Sequence, residues 1–140
     1  PPKRALFLLP SVPCGPPMPR RPRPTVLIIE DEDTVRRTLS RTLQRLQFQV
    51  VDVDGGEKAM ELLNNSEHKF HCVIVDRMMP GLSGTELIDS IRQAQPKMPI
   101  VLTTGVPGDA NSSPNVNSIL SKPWTSADVA RAVNEAIAKQ

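Results

Sequence analysis

Four consecutive apolar residues, Val26-Leu27-Ile28-Ile29, restrict the fold of this chain more than any other feature. A strand with one face in water alternates apolar and polar side chains. An unbroken run buries both faces, as in a parallel sheet covered by helices. The same kind of run returns at Cys72-Val73-Ile74-Val75. Between the two runs the period changes. Val35, Leu39, Leu43 and Leu46 recur at helical spacing, with Arg36, Arg37, Arg41 and Arg45 on the other faces. Phe48 to Val53 reads as a second strand closed by Asp54-Gly55-Gly56, and Glu57 to Asn64 as a short helix burying Met60 and Leu63. Thr85 to Ala94 predicts a helix with Leu87, Ile88 and Ile91 inward. Pro99 to Thr103 predicts a fourth strand and Ser118 to Ser121 a short fifth. Ser126 to Lys139 is the last helix, with Val129, Val133 and Ile137 on one stripe.

Five alternations of strand and helix predict an α/β fold: an open, five-stranded parallel sheet with helices on both faces. Right-handed crossovers make it a three-layer sandwich. Ligands of such sheets bind beyond the carboxyl ends of the strands, near the point where strand order reverses.

The first 24 residues stand apart. They hold nine of the fifteen prolines, five basic residues and no acid. Proline prevents helix and removes backbone donors, so residues 1–24 are expected to be an extended or disordered tail before a domain of residues 25–140. The domain carries twelve basic and fifteen acidic residues. The basic balance of the chain therefore belongs to the tail and does not argue for nucleic-acid binding by the domain. Lys3-Arg4 before Ala5-Leu6-Phe7-Leu8-Leu9 has the start of a secretory signal, but Pro10 ends the apolar run after five residues. Pro16-Pro17-Met18-Pro19 before arginines has the composition of a proline-rich ligand. A plain linker or extension accounts for both. No apolar run reaches the roughly 18 residues that span a bilayer. Cys14 and Cys72 offer neither metal spacing nor a disulfide framework, as expected for a cytoplasmic protein.

The predicted strands end in chemistry. Strand one runs into Glu30-Asp31-Glu32-Asp33, strand three into Asp76, strand four into Thr103-Thr104-Gly105, and strand five is followed by Lys122-Pro123. Clustered carboxylates repel unless a cation sits among them. Glu30, Asp31 and Asp76 supply the hard oxygen ligands that Mg2+ prefers. A carboxylate beside magnesium is a competent nucleophile toward phosphorus, giving an aspartyl-phosphate. The Lys122 ammonium and the Thr104 hydroxyl suit the remaining phosphoryl oxygens.

Four segments, namely Glu30-Asp31, Asp76-Arg77-Met78-Met79-Pro80-Gly81-Leu82-Ser83-Gly84, Thr104-Gly105 and Lys122-Pro123, resemble the receiver domain of two-component response regulators. The resemblance covers residues 25–140, with the motifs in the family's order. It implies a flavodoxin-like sheet of strand order 2-1-3-4-5 and Asp76 as phosphoacceptor. Asp31 would bind Mg2+ directly, Glu30 mainly through water, and Met78 through its backbone carbonyl. Thr104 would move to hydrogen-bond the phosphoryl group and Lys122 would pair with it. Pro80 and Gly81 would shape the loop after the third strand, and a cis bond would precede Pro123, at a cost of about 0.5–1 kcal/mol. The implied partners are a histidine kinase or phosphotransfer protein and an output domain or partner protein, with no direct contact to nucleic acid or membrane. The implied role is a switch rather than a turnover enzyme.

Other residues invite plainer readings. Asp33 starts or caps the first helix. Arg77 stands where the family often has an apolar residue and is expected to face solvent. His68 and His71, flanking Phe70, fall at the opposite end from the acids and are expected to be neither phosphodonors nor ligands. Cys72 is a small buried hydrophobe.

The chain also departs from the family pattern. Ile119 replaces the aromatic switch residue three positions before the lysine, and Trp124 is a neighbouring aromatic without being its equivalent. Pro107, Gly108, Asn111, Pro114 and Asn115 make Val106 to Asn117 a poor helix. The usual fourth helix is expected to be short or missing there. Met78 and Val106 hold the two positions that help or hinder an attacking water. Both are apolar, so slow loss of phosphate is expected.

Two other functions compete. Asp31-Glu32-Asp33-Thr34-Val35 matches the Asp-x-Asp-x-Val start of haloacid-dehalogenase-like phosphatases, with Asp31 as nucleophile and Asp33 as acid. Against it, the chain lacks room for a cap. A pseudo-receiver working only as a protein-binding module is the other alternative. The intact acids, Thr104 and Lys122 argue against that.

Overall fold

The computed structural model describes residues 23–65, 67–77, 84–105 and 115–138. The chain runs β1 (Thr25–Ile29), α1 (Asp33–Arg45), β2 (Gln49–Val53), α2 (Gly56–Asn64), β3 (Cys72–Asp76), α3 (Gly84–Ala94), β4 (Ile100–Thr104), β5 (Ser118–Ser121) and α4 (Ser126–Ala138). All strand pairs are parallel and the sheet order is β2-β1-β3-β4-β5, as the resemblance implies. The reversal of order lies between β1 and β3, and both strands point their carboxyl ends to the same edge.

Side chains alternate across each strand, and here both sets are apolar. Val26, Ile28, Cys72, Ile74, Val101 and Leu120 meet Leu39 and Leu43 of α1 and Val129, Ala132, Val133 and Ala136 of α4. Leu27, Ile29, Val73, Val75, Ile100 and Leu102 meet Ala59 and Leu63 of α2 and Leu87, Ile88 and Ile91 of α3. Two cores, one on each face, explain why the runs in β1 and β3 contain no polar position. Burying one such aliphatic side chain contributes about 1.5–3 kcal/mol. Ser118 ties β5 to α4 by donating its hydroxyl to the Ala132 carbonyl at 2.6 Å.

Several expected boundaries shift for local reasons. Phe48 lies outside β2 because α1 ends with Gln47 in the left-handed region, φ 75°. There the Phe48 N–H reaches back to the Leu43 carbonyl at 3.0 Å, a reversal that usually selects glycine. On α2 the fully buried residue is Ala59 rather than Met60, which packs at the margin of the core. β4 begins after Pro99 and includes Thr104. Asp33 does start α1, as the first-turn acid.

Cys72 is fully buried, and burial pushes its thiol up to about 12. The His71 ring accepts a hydrogen bond from the Thr25 N–H at 2.9 Å, and the His68 ring stacks on Phe70. Both histidines thus stand at the amino-terminal end of the sheet. The Arg92 guanidinium of α3 donates to the carbonyls of Pro96, Met98 and Asn115 and to Asn117 Oδ1. It pins the segment that enters β5. The weak fourth helix falls mostly on residues 106–114, outside the described residues, as do the tail of residues 1–22 and the residues Met78, Pro80, Gly81 and Val106. Among the described residues, no helix is long and apolar enough to cross a membrane.

Candidate functional site

Strand register builds the site. Ile29 stands opposite Val75, so the next residues along, Glu30 and Asp76, emerge side by side. Asp76 stands opposite Thr103, and Thr104 opposite Ser121, the residue before Lys122. The ladder continues one step past the strands: Glu30 N–H donates to the Val53 carbonyl at 3.1 Å, Arg77 N–H to Thr103 at 3.0 Å, and Lys122 N–H to Thr104 at 2.9 Å. The Lys122-Pro123 bond is cis, as the resemblance implies.

Glu30 and Asp76 are almost completely buried, 3% and 5% exposed, while Asp31 is exposed. One carboxylate oxygen from each of the three lies within 4.8 Å of the others. Lys122 Nζ stands 3.7 Å from Glu30 Oε1 and 3.6 Å from Asp76 Oδ1. The Lys122 ammonium thus faces two buried acids in a poorly solvated place. Three hard oxygen donors at this spacing fit a magnesium ion, which keeps waters for its other positions. Thr104 is buried beside them at the end of β4.

Burial, reinforced by a hydrogen bond with the Asp76 carboxyl, raises the Glu30 carboxyl to about 8. The Glu32 N–H, donating to Glu30 Oε2 at 3.2 Å, and the Lys122 charge pull the other way. A carboxyl raised in the folded state binds a proton that the unfolded chain releases near 4.5, the ordinary value. Its contribution to stability is therefore complete below the ordinary value and lost as pH rises through about 8. In EDTA the melting temperature is expected to fall between pH 5 and 8, with the fall removed in Glu30→Gln. A rise across that range in the wild type would contradict the assignment.

Most residues expected at the site are brought together: Glu30, Asp31, Asp76, Thr104 and Lys122. The Met78 carbonyl lies outside the described residues. Arg77, expected to face solvent, is half-buried. Arg36, expected on an outer face of α1, is also half-buried and turns toward β1 and β2. Its Nη1 donates to the Glu30 carbonyl at 3.0 Å, Nη2 bonds Asp33 Oδ1, and Nε lies 3.6 Å from Asp52 Oδ1. The signal for it was the Asp33–Arg36 spacing of three at the start of a helix.

A doubly wound parallel sheet thus carries buried acids, an amine and a hydroxyl at the switch-point edge, where such sheets bind their ligands. The family model for the response regulator receiver domain matches residues 26–134, and the chain belongs to that family. Among curated proteins it is similar to a cyclic di-GMP phosphodiesterase of Thermotoga maritima, 36% identical over 80 residues, 57% of this chain and 21% of that protein. It is also similar to the transcription factor SKN7 of Chaetomium thermophilum, 29% identical over 123 residues, 85% of this chain and 16% of that protein. The chain thus spans about a fifth or less of these relatives. Among solved structures, a response regulator receiver protein of Sinorhizobium medicae superposes with a TM-score of 0.73 at 30% identity, over 83% of this chain and 95% of that one. A receiver domain of Clostridium thermocellum gives a TM-score of 0.75 at 26% identity, over 83% and 95%.

Proposed function

We propose that the chain is the phosphoacceptor of a two-component phosphorelay, taking a phosphoryl group from a phosphohistidine onto Asp76. The observation that carries this reading is the placement of Lys122 Nζ within 3.7 Å of two buried carboxylates whose oxygens, with that of Asp31, lie within 4.8 Å of one another. An Asp76 oxygen attacks phosphorus, the N–P bond of the donor breaks, and the imidazole leaves. Lys122 and Thr104 hold phosphoryl oxygens. Glu30, Asp31, Asp76 and the Met78 carbonyl would hold Mg2+, which would neutralise charge on the transferring group. The reading implies a cytoplasmic protein that takes its phosphoryl group from a histidine kinase or phosphotransfer protein and switches an output domain or partner. It also implies a domain of residues 25–140 and no turnover chemistry of its own.

In the phosphatase alternative Asp33 would be the acid; here its carboxylate is bonded to the Arg36 guanidinium at the start of α1. Magnesium titration followed by amide NMR tests the reading. Shifts at Glu30, Asp31, Asp76 and Lys122 are expected in wild type, weakened at least tenfold in affinity by Asp31→Asn, as losing one charged ligand of an ion requires. Beryllium fluoride should then bind only with Mg2+ present. No response to either probe would leave a protein-binding module in place of a phosphoacceptor.

A further inference from the structure

Asp31 is the exposed member of the acidic trio, and among the described residues no donor holds its carboxylate. The peptide joining Glu30 to Asp31 is a rigid plane, and that plane is held. On its near side Glu30 N–H is fixed to the Val53 carbonyl at 3.1 Å, and the plane's own carbonyl accepts Arg36 Nη1 at 3.0 Å. Arg36 is in turn fixed by Asp33 at the start of α1 and by Asp52 at the end of β2. Its side chain is 16% exposed. One guanidinium therefore ties two elements, α1 and β2, to the peptide from which the Asp31 side chain departs.

We infer that Arg36 is a positioning residue for the metal-binding acids, setting the Glu30–Asp31 peptide so that both carboxylates face Asp76. The inference rests on the magnesium reading proposed above. The Arg36 contacts given above are all with protein oxygens, those of Glu30, Asp33 and Asp52. Its planar fork donates in several directions at once, which a lysine ammonium at the same place does not reproduce.

Electrostatics and positioning predict opposite signs, and that makes the idea testable. Arg36 is a cation near a cation site. If only its charge mattered, removing it would tighten Mg2+ binding, and Arg36→Lys would change nothing. Positioning predicts weaker binding in both Arg36→Met and Arg36→Lys, by about 10–100-fold, the usual effect of losing a group that orients a ligand. Asp52→Asn removes an ion pair but leaves the bond to the Glu30 carbonyl, and should stay within about threefold of wild type by the same rule. The measurement is the Mg2+ dissociation constant from amide NMR on the full chain, with the fold of each variant checked from the same spectra. Tighter or unchanged binding in Arg36→Met overturns the inference, as does wild-type affinity in Arg36→Lys. A variant that does not fold is replaced by Arg36→Gln, which is judged on the same scale. Failure of the wild type itself to bind Mg2+ would instead overturn the functional reading beneath it.

Discussion

Lys122→Ala is expected to slow phosphoryl uptake by about 10²-fold at saturating magnesium, the usual cost of losing one preorganised donor to a charged transition state. The proposed role asks for an ammonium beside Asp76, and one stands there. It stands 3.6 Å from Asp76 Oδ1 and 3.7 Å from Glu30 Oε1, with its side chain 31% exposed. Those separations exceed ordinary hydrogen bonds, so the lysine is held by field rather than by a tight pair. In the proposed reading it closes on a phosphoryl oxygen once one is added to Asp76. The backbone supports it: Lys122 N–H is anchored to Thr104, so loss of the side chain leaves the ladder intact. Time courses of intact mass with phosphoramidate measure the effect, and Lys122→Arg should recover part of the rate because the charge remains. A rate for Lys122→Ala within threefold of wild type would remove the lysine from the transfer step.

The second large effect is on stability. Ile74→Ala is expected to cost about 2–5 kcal/mol, the range for truncating a large buried aliphatic side chain. Ile74 lies on β3, between β1 and β4, and is 1% exposed among Ile28, Leu39, Val101, Leu120 and Val133. Neighbours on three strands and two helices cannot all collapse into the space left, so the cavity adds to the lost transfer energy. A domain of this size has about 5–15 kcal/mol in total, so the variant should unfold at much lower urea with an unchanged slope. Ile137→Ala, at the partly exposed margin of the same cluster, should cost clearly less. A loss below 1 kcal/mol for Ile74→Ala would contradict the two-core description.

Much of this was legible because strand burial and strand ends are local signals. The runs at Val26–Ile29 and Cys72–Val75 contain no polar residue, and that alone implies helices on both faces. Once the strands are parallel, their carboxyl ends share an edge, and Glu30, Asp76, Thr104 and Lys122 follow. For Arg36 the spacing from Asp33 pointed to a pair along the helix, but its reach to the Glu30 carbonyl was not legible. Helical spacing sorts side chains by Cα position, whereas an arginine stem is long enough to reach back over the preceding turn and bond a neighbouring strand. Ala59 was missed in favour of Met60 because hydrophobicity suggested the larger side chain, while close helix–sheet contact selects the smaller. The start of β2 moved past Phe48 because Gln47 adopts a left-handed turn conformation that glutamine does not advertise.

Intact mass after incubation with Mg2+ and acetyl phosphate, on wild type and Asp76→Asn, tests the central claim most directly. The account predicts a gain of one phosphoryl group in wild type, absent in EDTA and absent in the variant. No gain in wild type, or a gain that persists in Asp76→Asn and vanishes in Asp31→Asn, would contradict it.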